Sequence, residues 1–158
     1  MKTLSILLIC LSFFTKIANA QESFQTFYEN HKNEHGVTNF KMPAWLFKWQ
    51  TSVEDKQSQK VIKKVKKVYF LISENQNHNL LNIATNILAY PLYKDVIIIN
   101  EENSKITIKA KEALNIIEEI VLIIEEEKEL VIICMSGSFY KEELYSLVKV
   151  ANSSNIDF

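Results

Sequence analysis

The stretch LNIIEEIVLIIEEEKELVIICMSG, residues 114–137, decides the fold because it holds two apolar runs joined by a polar turn. Six of the nine residues in Ile116–Ile124 are β-branched, and such side chains fit the pleated, half-buried surface of a sheet. Charged residues occupy Glu125–Glu129, and Leu130–Met135 is apolar at every position, so both faces of that strand should be covered. The pattern predicts a central β-hairpin.

The first run has a local alternative, because Lys109–Glu127 is rich in Ala, Glu, Lys and Leu and could form a helix. We favour a strand for Ile116–Ile124 because of its β-branched content and because the strand that follows needs a neighbour. With this choice, the predicted fold class is α+β: a mostly antiparallel sheet of about five to six strands with helices packed on it.

Hydrophobic spacing places the remaining elements. The predicted helices are Glu22–His35, Pro43–Gln50, Ser52–Lys64, Asn79–Tyr90 and Tyr140–Ala151. The predicted strands are Val37–Lys41, Val68–Ile72, Val96–Ile99 and Lys105–Lys109. The continuous apolar run of the third of these indicates a buried strand, whereas the alternation of the fourth indicates one wet face near a sheet edge.

Two local details follow from the same patterns. Ser52 and Asp55 resemble a capping box, which would begin the third helix. In the short second helix, the spacing predicts that Trp45, Leu46 and Trp49 face inward and anchor it.

The first twenty residues predict a secretory signal peptide that is cleaved after Ala20. Lys2 gives a basic start, Leu4–Phe14 forms an apolar core too short to span a bilayer, and Ala18–Ala20 is an A-x-A cleavage site. We therefore expect an exported protein, periplasmic or secreted, with a single α+β domain over residues 21–158. Its tail should be loose from about residue 152.

Composition argues against nucleic-acid recognition. Removing residues 1–20 leaves 16 Lys against 19 acidic residues, a formal charge of about −3, and the chain contains no Arg. The bidentate contacts that Arg makes with phosphates and bases are therefore missing. Cys134 would be the one cysteine left, so it cannot form an internal disulfide, and its apolar neighbours predict a buried side chain.

Four segments form a pattern that spans most of the predicted mature chain. They are Phe27–Glu29, Gly36–Thr38, Pro43–Phe47, and Leu130–Gly137 running into a helix rich in Lys, Glu and Leu. In these segments the chain resembles domain of unknown function 4252, a family of short exported proteins common in Bacteroidetes. The family pattern has an Asp-like cap before the last helix, where this chain has Tyr140. The resemblance implies an exported α+β domain of the cell envelope and assigns no catalytic or binding residue.

The sequence HKNEH at residues 31–35 matches H-x-x-E-H, the inverted zinc-peptidase motif. On a helix, His31 and His35 would lie one turn apart and could chelate a metal, with Glu34 as base. A catalytic zinc needs a third protein ligand, and no nearby acidic helix is an obvious donor. His31 also shares a stripe with aromatic residues, which favours a half-buried structural histidine. We predict no catalytic residue, no cofactor and no metal site, and retain a metal hydrolase as a remote alternative.

A basic cluster marks the junction between the third helix and the strand that follows. It consists of Lys60, Lys63, Lys64, Lys66 and Lys67. Such a cluster is most often a solvated helix face. Its functional interpretation is an electrostatic contact with an anionic envelope surface or an acidic partner. Elsewhere, Glu118 and Glu119 are interpreted as strand-edge charge.

Two functions fit an exported chain that lacks G-x-S-x-G, P-loop and glycine-rich phosphate motifs. The favoured one is a non-enzymatic domain that binds an envelope protein or a surface component through its sheet or its lysine cluster. The alternative is a carrier of a small apolar ligand, whose pocket would be lined by the aromatic residues Phe24, Phe27, Trp45, Phe47 and Trp49.

Overall fold

Six antiparallel strands form one open sheet in the computed structural model, which describes residues 23–50, 56–74, 78–89, 91–144 and 146. Within these residues the strands are β1 (Val37–Pro43), β2 (Lys67–Glu74), β3 (Tyr93–Asn100), β4 (Ser104–Ala113), β5 (Ile116–Glu126) and β6 (Glu129–Phe139). The helices are α1 (Phe24–His31), α2 (Ala44–Gln50), α3 (Lys56–Lys64) and α4 (His78–Ile87). The strand order is β1-β2-β6-β5-β4-β3, and every neighbouring pair is antiparallel. The predicted α+β class is confirmed.

The β5–β6 hairpin occupies the two middle positions of the sheet, so the predicted central hairpin and the strand choice for Ile116–Ile124 are confirmed. Its two-residue connection, Glu127 and Lys128, falls inside the predicted polar turn. Cys134 is free and buried at 1% exposure, as the apolar run predicted. Burial on both sides of β6 explains why the run Leu130–Met135 has no polar position.

The sheet separates two apolar clusters, because successive side chains of a strand point to opposite faces. The α3 face, which α2 and α3 cover, includes the strand residues Val68, Phe70, Ile120, Leu122, Met135 and Phe139. The α1 face, which α1 and α4 cover, includes the strand residues Tyr69, Leu71, Val121, Ile123, Ile132 and Cys134. The core therefore has two halves, with the sheet between them.

The two outer strands on one side differ from their predictions. Val96–Ile99 lies in β3, which is an edge strand, and Ile98 is 53% exposed. Thr107 and Lys109, which were predicted to line a wet face, are buried on β4, the second strand from that edge. The Lys109 ammonium lies 2.6 Å from an Asp95 carboxylate oxygen on β3. The apolar run Val96–Ile99 therefore lies in an edge strand and not in a buried one. Lys109 is buried because Asp95 on the neighbouring strand supplies its counter-charge.

Two helices differ from their predicted bounds. Helix α1 begins after Ser23, whose hydroxyl accepts from the Thr26 N–H at 3.4 Å, and it ends at His31 instead of His35. Backbone hydrogen bonds between nearby residues then turn the chain, and Gly36 has a φ of +79°, which glycine adopts without strain.

Trp45 on α2 is 70% exposed, so its predicted inward orientation is wrong. Phe47 takes the inward position of this short helix.

Pro43 ends β1 instead of beginning a helix, because it pairs with Lys67 of β2. A proline is tolerated there, since an edge strand has N–H groups that need no sheet partner.

Several predictions lie outside the described residues: the signal peptide, the capping box at Ser52, Tyr90, and the tail from residue 152.

Gly137 is required by a close approach between β6 and α3. A Cβ atom added there would lie 2.8 Å from the Lys64 carbonyl oxygen and 2.3 Å from the Phe139 ring. We expect Gly137→Ala to lower the free energy of unfolding by about 1 to 3 kcal/mol, because a backbone atom and a buried ring must move. Urea denaturation checks this. The exposed neighbour provides the control, since Ser138→Ala should change stability by less than about 0.5 kcal/mol.

The β4–β5 turn holds two non-glycine residues in the left-handed region, Leu114 at φ 52° and Asn115 at φ 64°. Positive φ at both central positions is the geometry of a type I′ turn, which favours Asn-Gly. We expect the double change Leu114→Asn and Asn115→Gly to raise the free energy of unfolding by about 1 kcal/mol, because it removes the cost of a left-handed leucine. Leu114→Ala keeps that cost, so an equal gain from Leu114→Ala in thermal unfolding would contradict this explanation.

Candidate functional site

The H-x-x-E-H residues do not present two imidazoles from one helix. His31 is the last residue of α1, whereas His35 lies in the turn beyond it and is exposed. The Nδ1 atom of His31 lies 2.5 Å from a Glu34 carboxylate oxygen, and its ring packs against Phe27 with 4.7 Å between centroids. Glu34 therefore contacts the His31 ring itself, at the end of helix α1.

Over the ranges that the structure describes, no group of three or more His, Cys, Asp or Glu side chains could hold a metal ion. Over the same ranges, no helix is both long enough and apolar enough to cross a membrane.

The aromatic residues predicted for a carrier do not line one pocket. Phe24 and Phe27 belong to the α1 face, Phe47 belongs to the α3 face, and Trp45 is exposed. The Trp49 side chain lies outside the described part of the structure. Because the sheet separates these rings, the predicted common pocket is wrong.

The predicted lysine cluster lies at the end of α3 and the start of β2. Lys60 and Lys63 are exposed on α3, Lys66 is exposed in the connection, and Lys67 is the exposed first residue of β2. These four side chains make no ion pair with any residue that the structure describes. We call them the lysine patch.

The backbone under the lysine patch is fixed. The Lys66 N–H donates to the Ser136 carbonyl oxygen at 2.8 Å, and the Val65 N–H donates to the Ile62 carbonyl oxygen at 3.1 Å. Val65 itself is buried in the core of the α3 face. The four lysines are thus exposed side chains on a closely packed junction.

Lys64 is separate from the patch because it is already neutralised. Its ammonium lies 2.7 Å from each carboxylate oxygen of Glu143 and 4.4 Å from the centre of the Tyr140 ring. Glu143 also has a second partner, because the Tyr140 N–H donates to its carboxylate at 2.9 Å. Glu143 thus supplies the carboxylate half of a capping box for the short turn Lys141–Glu143.

The opposite end of the sheet is acidic. An open groove of about 620 Å³ separates the β3–β4 and β5–β6 connections, and its lining includes Glu101, Glu102, Glu126 and Glu127. Glu74, the last residue of β2, pairs with Glu129 at this same end. Lys67 and Glu74 are the two ends of β2, so the lysine patch and the acidic end are about 23 Å apart at about 3.3 Å per residue.

One buried polar network was not predicted. The Tyr93 hydroxyl accepts from the Phe24 N–H at 2.9 Å and donates to Glu119, which joins the start of α1 to the sheet. Burial and the bond to Glu119 raise the pKa of Tyr93 well above its usual range. Glu118 is exposed as predicted, but a register shift beside it directs Glu119 inward. The pair of adjacent glutamates between two apolar runs was the sequence signal, and only the register shift decides that Glu119 is the one turned inward and partly buried.

Cys134 is not a candidate nucleophile. Burial raises the pKa of its thiol well above the usual value, with a further contribution from Glu119. A thiol with a raised pKa and 1% exposure lacks the thiolate character and the access that reactive cysteines have.

Taken together, these features define an α+β domain with a two-sided open sheet and with charge divided between its ends. The chain belongs to the family described as Domain of unknown function (DUF4252), whose model matches residues 28–147. The matched range contains all six described strands. No curated protein and no solved structure matches the chain. The resemblance seen in the sequence is confirmed.

The Lys64–Glu143 pair gives a pH-dependent prediction. Burial alone would raise the pKa of Glu143, but hydrogen bonds from Lys64 and the Tyr140 N–H outweigh it and lower the pKa below 4.5. A lowered folded-state pKa stabilises the protein above the unfolded-state pKa, and this contribution is lost as the pH falls through the folded-state value. We expect Glu143→Gln to lower the free energy of unfolding by about 1 kcal/mol at pH 7.

The difference between Glu143→Gln and the unchanged protein should shrink as the pH falls below about 4.5, the ordinary Glu value. Urea denaturation at a series of pH values measures it. Glu142→Gln, at the exposed neighbouring residue, serves as the control and should show no such loss. A difference that does not depend on pH would contradict the ionic explanation.

Proposed function

We propose that this protein is an exported, non-enzymatic interaction domain that contacts an anionic lipid surface of the cell envelope through the lysine patch. The observation that carries the proposal is the group of four exposed lysines, Lys60, Lys63, Lys66 and Lys67, with no ion-pair partner among the described residues. The predicted signal peptide at residues 1–20 supports export.

The energy of such a contact is adequate although the protein is acidic overall. A basic residue near an anionic membrane contributes about 1 kcal/mol, so four contribute about 4 kcal/mol, which corresponds to about a thousand-fold in binding. The closely packed junction beneath the patch holds the backbone that carries the four charges in place. The contact should weaken with salt, because exposed charges are screened over about 10 Å at 0.1 M.

The separation of charge favours one orientation on such a surface. The acidic end around Glu101 and Glu126 lies about 23 Å from the lysine patch along the strands. An anionic surface attracts the patch and repels the acidic end, so the sheet should stand with its acidic connections directed away. This orientation leaves the acidic end free of the surface.

Vesicles of phosphatidylglycerol mixed with phosphatidylcholine provide the test, by co-sedimentation with the purified protein. We expect binding that falls by at least about tenfold when the lysine patch is changed to Lys60→Gln, Lys63→Gln, Lys66→Gln and Lys67→Gln together. The matched control replaces the same four residues by Arg, which keeps the charge and should keep the binding. Binding should also be lost in about 0.5 M salt.

The fold of each variant is checked by its melting temperature, which should hardly change because all four side chains are exposed. A second control, Lys48→Gln with Lys128→Gln, removes exposed lysines elsewhere and should reduce binding less. The proposal is wrong if the unchanged protein does not bind these vesicles, or if the Gln variant of the patch binds as well as the Arg variant.

A further inference from the structure

The free edge of β3 is unusually apolar for an exposed edge strand. Val96–Ile99 is a run of four β-branched residues, and Val96 and Ile98 are 40% and 53% exposed. The two charged residues of the strand, Lys94 and Asp95, precede the run, and Asp95 already pairs with Lys109. An edge strand has unpaired N–H and C=O groups, so an apolar edge of this kind is a template for another strand.

The other edge of the same sheet is protected. In β1, Thr38, Asn39 and Lys41 are exposed polar residues, and Pro43 ends the strand. Exposed charge and proline are the features by which edge strands avoid pairing with other chains. Among the described residues, one edge of the sheet is therefore blocked and the other is open, so the β3 edge is the one suited to pairing with a further strand.

We propose that β3 binds β3 of a second copy of this chain, in antiparallel register about a two-fold axis through Ile98. The two sheets would then join into one continuous sheet. This inference does not depend on the lysine patch, because β3 and α3 are separate elements whose experiments use different residues.

The sequence of β3 is complementary to itself in this register. The regular part of the strand is Ile97–Asn100, because a register shift against β4 interrupts it between Asp95 and Ile97. With the axis at Ile98, Ile98 faces its own copy and Ile97 faces Ile99. A symmetric dimer needs such self-complementarity, since the same surface serves both copies.

The apolar layer of the sheet also continues across this junction. One row on the α3 face crosses all six described strands through paired residues: Phe40, Phe70, Ile133, Leu122, Ile108 and Ile97. Ile97 is only partly buried at the end of this row. Pairing with Ile99 of the second copy would extend the row and remove both side chains from water, at about 25 cal/mol per Å² of apolar area.

The expected association is weak. A single pair of strands buries less than the roughly 1,600 Å² of a standard interface. Dissociation constants in the range of about 10 μM to 1 mM are therefore expected, and the dimer should appear only as the concentration rises.

Sedimentation velocity of the purified protein over about 1 μM to 1 mM is the test. We expect a monomer–dimer equilibrium, and Ile98→Lys should raise the dissociation constant at least about tenfold, because two ammonium groups would meet near the axis. The matched control is Thr38→Lys, a change of an exposed residue on the protected edge, which should leave the equilibrium unchanged. Both positions are exposed, so both variants should fold, as melting temperatures will report.

Hydrogen exchange gives an independent measurement. Amides in residues 93–100 should exchange more slowly as the concentration rises, whereas amides in residues 37–43 should not. A monomer at every concentration overturns the proposal, and this includes the case in which a different protein covers β3. A dimer that Ile98→Lys leaves intact, or whose protected amides lie outside residues 93–100, also overturns it.

Discussion

Two neighbouring strands, β5 and β6, carry apolar side chains on both faces, and neither face can be left in water. Leu122 and Val121 are adjacent in the chain but belong to different clusters, as do Ile133 and Ile132 on the facing strand. Fully burying one such side chain stabilises the folded state by about 1.5 to 3 kcal/mol. Helices on both sides of the sheet, and further strands on both of its edges, follow from this requirement.

The same constraint explains how polar groups are accommodated. Where β3 and β4 meet, Lys109 is buried beside Asp95, and where α1 meets the sheet, Tyr93 joins the Phe24 N–H to Glu119. A buried polar group without a partner is costly, so each of these side chains depends on an element that is distant in sequence. These contacts fix the relative positions of α1, β3 and β5 more specifically than apolar packing alone can do.

Charge at the surface is arranged by the ends of the strands. The α3–β2 junction carries the lysine patch, while the β3–β4 and β5–β6 connections carry glutamates at the other end. Because the strands are antiparallel and the connections are short, residues far apart in the chain collect at the same end. Although the chain has little net charge, positive and negative side chains thus collect at opposite ends of the sheet. Such a charge separation orients a protein on a charged surface. The histidine motif, in contrast, is divided by the end of α1 at His31.

The sequence by itself determined the β5–β6 hairpin, the α+β class, the family and the burial of Cys134, because periodicity and β-branched content act over a few residues. It also located the lysine patch, since lysines that are consecutive in the chain remain neighbours. Only the tertiary structure decided that the apolar run Val96–Ile99 is an edge, that Lys109 is buried, and that Lys64 is neutralised by Glu143. Each of these three features depends on which distant strand or turn lies beside a residue. The local sequence pattern contains no information about that neighbour.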